Sequence, residues 1–307
     1  MRKRYGNMDG IENNHAFLDG WRWMKERRSK QKDLSVQTPA AERKLQREVK
    51  QNQTKTTITW IGHSTFLIQM NGLAILTDPV WAKRMGFAKR LTKPGWSIAE
   101  LPEIDIVVIS HGHYDHLDFP TLRQLKGNPH YFVPVGLKRL FAKKGYPNVT
   151  ELNWWESVQH KDLELHFVPA QHWTRRTPFD TNTSHWGGWV LRKAGETLYF
   201  VGDTGYFRGF AEIGSRFDID IALVPIGAYE PEWFMKVSHM TPEEAVQGFI
   251  DMRAKTFIPM HYGAYRLADD TGPEALARLL AAWEKAALPK ERLRVLAIGE
   301  TLFADQE

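Results

Sequence analysis

The rhythm of apolar positions along the chain changes near residue 56. Before it, FLDGWRWMKERRSKQK (residues 17–32) and the charge-alternating stretch 40–50 predict helices, but neither holds enough apolar positions to form a core alone. This arm must dock on the rest of the chain or stay mobile. After it, TTITWIG, HSTFLIQM and LAILTDP read as consecutive strands, with Asn71-Gly72 as the hairpin turn between the second and third. Further apolar runs (IDIVVIS, HYFVPV, LELHFVPA, ETLYFVGD, DIALVPIG, KTFIPMH) alternate with stretches of helical period at about 136–144, 241–252 and 273–287. Thr241-Pro242-Glu243-Glu244 fits a helix start, with the threonine as N-cap, proline at the first helical position and a glutamate three residues after the cap. The alternation predicts an α/β (α+β) chain with helices layered on sheets. Its organisation is expected to be a basic, partly helical arm over residues 1–55 and one domain over residues 56–307.

Composition changes this picture little. Hydrophobic residues at 42% and charged residues at 25% of 307 positions are ordinary for a globular protein and exclude a fibrous or wholly disordered chain. No apolar run reaches the ~20 residues of a membrane-spanning helix and the start lacks a secretory signal, so a cytoplasmic location is expected. Charge is uneven: residues 1–55 hold 14 Lys and Arg against 7 Asp and Glu, so the arm is strongly basic while the rest is slightly acidic. Such an arm is attracted to an anionic membrane or to nucleic acid, or else presents a solvated helical face. Trp21 and Trp23, beside Lys25, Arg27 and Arg28, suit a bilayer interface or pack the arm onto the body. With no cysteine in the chain, disulfides and thiolate ligands are excluded, and a metal site must be built from imidazole and carboxylate.

That requirement is met in SHGHYDHLD, directly after the apolar run IDIVVIS. His111, His113, Asp115 and His116 fall within six positions and can face one pocket. A lone histidine would carry little weight, but a His-x-His-x-Asp-His cluster suits a borderline ion such as zinc. Three more ligand-type residues follow apolar runs in the same way: His172 after LELHFVPAQ, Asp203 after ETLYFVG and His261 after KTFIPM. Seven ligands suffice for two ions, with His111, His113 and His172 on one, Asp115, His116 and His261 on the other, and Asp203 bridging. Each ion then keeps room for water, as catalytic zinc requires. Iron, manganese and cobalt accept the same ligands. Asp78, in LTDP, either accepts a hydrogen bond from a ligand imidazole or caps a turn. His15, His63, His130, His160, His166 and His185 lack a ligand-like context, and His63 is read as structural.

On TWIGHSTFLIQ, LTDPVW, ISHGHYDHLD, ELNWWE, QHWTRRT, GDTGY, PIGAYEPEWFM and EEAVQ, the chain resembles the metallo-β-lactamase superfamily and, within it, the N-acylphosphatidylethanolamine-hydrolysing phospholipase D family. The likeness runs from about Thr57 to the C-terminus and leaves the arm outside. It implies an αββα sandwich of two mixed β-sheets flanked by helices, and the seven residues above as ligands of two zinc ions. His239 matches the family's extra active-site histidine, so Asp115, Asp203 and His239 are expected to act in catalysis, with Tyr114 and Gln171 near the substrate. The implied reaction is attack on a phosphodiester by a hydroxide held between the ions, giving phosphatidic acid and an N-acylethanolamine. The implied partners are a phospholipid, a peripheral membrane surface met by the arm, and a second copy of the chain, with nucleic acid not favoured. A nuclease or general phosphodiesterase, a lactonase, and a membrane-tethered metal-binding scaffold without turnover are the competing readings.

Overall fold

The computed structural model describes residues 3–13 and 17–304; His15 lies outside them. The chain folds into two sheets packed face to face. The first is made of β1 (Thr57–Gly62), β2 (Thr65–Met70), β3 (Leu73–Thr77), β6 (Ile106–Val108), β7 (His130–Pro134), β8 (Val149–Leu152) and β15 (Thr301–Phe303), in the order β15-β1-β2-β3-β6-β7-β8. The second is made of β9 (Ser157–His160), β10 (Leu163–Val168), β11 (Gly188–Lys193), β12 (Glu196–Phe200), β13 (Ile221–Pro225) and β14 (Thr256–Met260), in the order β14-β13-β12-β11-β10-β9. Both mix parallel and antiparallel pairs. A small hairpin of β4 (Arg84–Met85) and β5 (Ala88–Lys89) stands apart. The helices are α1 (Phe17–Ser29), α2 (Gln46–Gln51), α3 (Phe119–Leu122), α4 (Lys138–Lys143), α5 (Gly209–Arg216), α6 (Glu232–Met235), α7 (Pro242–Asp251) and α8 (Gly272–Lys285).

Strand burial explains the layering. β1, β2 and β3 are buried at every position, so each must be covered on both faces. Ile58, Phe66, Ile75 and Val108 from the first sheet pack with Leu165, Trp189, Leu198 and Phe200 from the second between the sheets, and Phe249 and Trp283 of α7 and α8 join the same core. Leu67, Leu76, Val107 and Val133 point outward and are covered by Phe119, Leu122 and Phe141 of α3 and α4. The result is the expected αββα sandwich.

Local signals did their part. Asn71 and Gly72 both have positive φ, 44° and 86°, as a tight hairpin between β2 and β3 demands. Thr241 and Glu244 form the capping box of α7, and Thr271 and Glu274 do the same for α8. Two expectations change. The helix expected over 40–50 is confined to Gln46–Gln51, because Ala40 instead bridges to Ile298. β11 is hidden in sequence by Gly187-Gly188, which the packing requires: a Cβ on Gly188 would lie 2.7 Å from the carbonyl oxygen of Phe200.

The arm is docked. The Asp269 carboxylate, fully buried, accepts from Trp23 Nε1 and Lys30 Nζ, each at 3.1 Å, and lies 3.6 Å from Arg27 Nε. Arg27 also donates to the carbonyls of Arg266 and Leu267, and Lys32 pairs with Glu230 and Glu274. Among the described residues, no helix is long and apolar enough to cross a membrane. Asp269→Ala strips three donors of one acceptor. Discounted for the partial exposure of Arg27 and Lys30, the loss is about 1–2 kcal/mol, so trypsin should cut within residues 22–32 roughly tenfold faster. An unchanged cleavage rate would place the arm's anchor elsewhere.

Candidate metal centre

β12, β13 and β14 run parallel, and β10, two antiparallel steps from β12, shares their direction. Their C-terminal ends therefore open on one edge, where loops leave the sheet and ligand sites of open α/β sheets form. His172 and Asp203 stand a few residues beyond β10 and β12, His261 directly follows β14, and β6 of the other sheet delivers the segment from Ser110 to His116. The structure brings all seven ligand-type residues together.

They form two adjoining groups. His113 Nδ1 lies 2.9 Å from His111 Nε2 and 3.2 Å from His172 Nε2, so three ring nitrogens meet at one point. In the other group, His116 Nε2 is 3.3 Å from Asp115 Oδ2 and 3.1 Å from Asp203 Oδ2, and His261 Nε2 is 3.6 Å and 3.0 Å from the same two oxygens. Asp203 thus stands among His116, His261 and, in a further cluster, His172 and His239.

A second row sets each ring. Asp78 Oδ2 accepts from His116 Nδ1 at 2.6 Å and from Ser110 Oγ, and Asp78 Oδ1 accepts from the Ser110 amide at 2.7 Å. Since Ser110 Oγ donates to Asp78, it accepts from His111 Nδ1 at 2.9 Å. His172 Nδ1 donates to the Ser238 carbonyl, also at 2.9 Å. These contacts leave the Nε2 atoms of His111, His116 and His172 directed inward, so Asp78 has the orienting role rather than the turn-capping one. The backbone is held out of its usual range for the purpose: Asp78, His63 and His261 have φ of 34°, 56° and 62°, each costing roughly 1 kcal/mol or more.

His63 was missed by sequence reasoning. Its Nε2 lies 3.1 Å from Asp115 Oδ2 and its carbonyl accepts from the His261 amide at 3.2 Å, so it steadies two ligand-type residues at once. The available signal was its place in TWIGHST, one residue past a strand end. Asn7 was missed too, and nothing in the sequence marks it: its Oδ1 accepts from the His172 amide and from Trp186 Nε1, each at 2.9 Å.

Charge and geometry together fit a cation. Burial and the neighbouring imidazoles hold His111 and His172 well below the ordinary imidazole range, and burial lowers His113 to about 4. These rings are neutral, with lone pairs facing one another. Burial also opposes charge on His116 and His261, yet Asp203 and Asp115 outweigh it, raising His116 well above its usual value and His261 to about 9. Despite burial, His116 holds both carboxylates well below the carboxylate range. His116 Nε2, both nitrogens of His261, Asp203 Oδ1 and His239 Nδ1 are buried without a hydrogen-bond partner among the described residues. Buried polar atoms left unmatched in one place are what a bound ion would satisfy. Because a ligand imidazole must be neutral, binding should release roughly two protons per chain at pH 7, from His116 and His261. The sign follows from the raised pKa values: apparent metal affinity climbs with pH from 7 through about 9. Calorimetry in two buffers of different ionisation enthalpy measures the release, and a value near zero would contradict this electrostatic account.

A cavity of about 670 Å³ opens on the centre, lined by Trp21, Trp23 and Met24 of α1, by Trp173, Phe234 and Met235, and by His113 and His239. His239 Nδ1 is 4.0 Å from Asp203 Oδ2, and burial lowers this ring to about 4. Tyr114 and Gln171, expected near the substrate, do not line the cavity. Tyr114 is exposed and donates to the Arg176 carbonyl at 3.0 Å, while Gln171 donates to the carbonyls of Tyr206 and Val237 and so braces the segment that carries His239. The two arm tryptophans divide: Trp23 stacks on Phe234 and bonds Asp269, whereas Trp21 is 61% exposed.

Residues 74–262, a stretch holding all seven ligand-type residues, match the family described as "Beta-lactamase superfamily domain". The chain is 40% identical over 226 residues to "N-acyl-phosphatidylethanolamine-hydrolyzing phospholipase D 1" of Caenorhabditis elegans, covering 67% of this chain and 64% of that relative, just under two thirds of its length. It is 31% identical over 230 residues to a "UPF0173 metal-dependent hydrolase" of Myxococcus xanthus, covering 72% of this chain and 75% of that one. Among solved structures, the metallo hydrolase Igni18 of Ignicoccus hospitalis shares the fold, with a TM-score of 0.63 at 24% identity over 81% of this chain and 98% of its own.

Proposed function

The chain belongs to the metallo-β-lactamase superfamily, among metal-dependent hydrolases similar to the N-acylphosphatidylethanolamine-hydrolysing phospholipases D, and on that footing we propose that it cleaves phospholipids of that type at the phosphodiester bond, releasing phosphatidic acid and an N-acylethanolamine. The observation that carries the reading is the apolar cavity: a wall of Trp21, Met24, Trp173, Phe234 and Met235 leading to His113 and His239 accepts an acyl chain with its headgroup at the centre.

His111, His113 and His172 would hold one divalent ion, and Asp115, His116 and His261 a second, with Asp203 between them; zinc suits the donors, and iron, manganese or cobalt could replace it. Bound there, such ions supply Lewis acidity, bringing the pKa of water to about 7 and polarising phosphoryl oxygens. The chain's own groups do the rest. Asp203, kept ionised and with Oδ1 lacking a hydrogen-bond partner among the described residues, is free to turn an oxygen toward each set of imidazoles. Asp115 is kept ionised and aimed by His63 and His116. His239, neutral and in the cavity lining, offers a hydrogen bond to a phosphoryl or leaving oxygen. Apolar walls exclude water from the bond being broken, which strengthens each of these contacts. The exposed Trp21 and Leu18, beside the cations of α1, suit an approach to a membrane surface.

The test incubates the metal-loaded chain with N-acylphosphatidylethanolamine in mixed micelles, bis-p-nitrophenyl phosphate, RNA and a lactone, each with and without chelator. Chelator-sensitive release of N-acylethanolamine is expected. RNA or lactone turnover with an inert phospholipid would overturn the reading in favour of a nuclease or a lactonase.

A further inference from the structure

A second cavity, of about 450 Å³, lies between the start of the arm, the α4 region and the 174–184 segment. Five cations line it, Lys3, Arg139, Lys143, Arg175 and Arg176; Arg175 also reaches the larger cavity, and Arg176 already donates to the carbonyls of Gly112, His113 and Leu117. Among the described residues none of them is in an ion pair, although other exposed cations of this chain are, as in Lys161–Asp105, Arg192–Glu164, Arg208–Asp9 and Lys255–Asp218. The two acids of the cavity are already engaged. Glu151 Oε1 accepts from the amides of Gly136 and Lys138, and Asp180 Oδ1 accepts from those of Arg176 and Thr177. Thr174 and Ser184, 2% and 7% exposed, line the same cavity, and their hydroxyls make no hydrogen bond among the described residues.

Scattered surface cations are ordinarily solvated and indifferent to one another. Here Lys3, Arg139, Lys143 and Arg175 converge on a concave pocket whose acids are spent on backbone amides and whose buried hydroxyls are unused. We propose that this pocket binds a phosphate group, at a site separate from the imidazole cluster. A tetrahedral oxyanion presents acceptors in several directions, and a guanidinium meets two of them at once while hydroxyls and ammonium groups take the others. Leu137 and Leu140 in the lining accommodate the carbon portion of a phosphate ester. The same chemistry arises from a membrane lipid bearing a phosphomonoester or from a soluble phosphate. Occupancy would tie Lys3 to the body four residues before Asn7, whose side chain holds the His172 amide.

The test uses the metal-loaded full chain, a pocket variant carrying Arg139→Glu and Lys143→Glu, and a charge-matched control carrying Lys285→Glu and Lys290→Glu. Inorganic phosphate is titrated calorimetrically, and retention is measured on phosphatidylcholine vesicles with and without phosphatidic acid. The expected result is a class of phosphate binding additional to any at the metals, weakened at least tenfold in the pocket variant and unchanged in the control. Retention by phosphatidic-acid vesicles lost in the pocket variant alone assigns a lipid source; retention equal in all three chains, with the loss confined to inorganic phosphate, assigns a soluble one. Absence of the additional class, or equal losses in pocket variant and control, overturns the site. Turnover of bis-p-nitrophenyl phosphate, read in the same chains, reports on the imidazole cluster alone, so failure of the phospholipase reading leaves this outcome legible.

Discussion

Asp203→Asn is expected to lower kcat/KM toward any phosphodiester the chain cleaves by at least ~10³-fold while leaving the fold intact. Asparagine keeps the shape of the side chain and removes the one negative charge that lies within 3.1 Å of both His116 and His261. Losing a preorganised charged contact of this kind costs on the order of 4 kcal/mol in the transition state, which is about a thousandfold. Metal content by elemental analysis should fall with activity, because the group shared between the two sets of ligands is gone. The metal-free chain provides an independent reading. There Asp203 is the strongest influence raising His116 and His261, the latter to about 9, against the lowering effect of burial. A folded pKa above the unfolded value of about 6.5 means stability that is complete below that value and is lost as pH climbs through about 9. Metal-free wild type should therefore lose stability from pH 7 to 9, and the slope should shrink in the variant, as followed by urea midpoint. A variant that keeps full metal occupancy and activity within tenfold of wild type would remove Asp203 from the centre.

The parts of this site that are legible in sequence are those delivered by strands. A strand covered on both faces must be continuously apolar, and the loop that follows it must begin with polar groups, so His111, His172, Asp203 and His261 announce themselves at four strand ends. What stays illegible depends on contacts between distant segments. Asn7 reaches His172 across 165 positions, and a solitary asparagine in a basic arm carries no sign of it. His63 follows an apolar strand like the others, but a single histidine after Gly62 reads as structural; its role arises from a left-handed backbone and from an aspartate 52 residues away. Asp78 left two readings open because a carboxylate after a strand caps turns as readily as it orients rings. β11 escapes because its paired glycines, needed for close approach to β12, look like a loop. Trp21 and Trp23 are indistinguishable by type and neighbourhood, yet residues two apart on a helix face different ways, and only Trp23 meets Asp269.

That division of the two tryptophans leads to the second large effect, which a Trp21→Ala and Met24→Ala double variant should show. Trp21 and Met24 line the cavity yet remain 61% and 53% exposed, so much of their apolar surface is free to be covered by a substrate chain. Covering it at about 25 cal/mol per Å² yields roughly 2–3 kcal/mol, which corresponds to a loss of about 30- to 150-fold in kcat/KM for a long-chain phospholipid. Stability should hardly move, because neither side chain is packed in the core, and Trp23, Arg27 and Lys30 still fasten α1 to the body. Bis-p-nitrophenyl phosphate has no acyl chain to lie along the wall, so its turnover should stay within about twofold of wild type, a difference of less than half a kcal/mol. Shortening the N-acyl chain should bring wild type and variant together, since each methylene withdrawn from the wall removes about 0.8 kcal/mol from the wild type alone. Were the soluble diester to lose as much as the lipid, the arm would be acting through Asn7 and the backbone amide of His172, and α1 would have no part in holding the substrate.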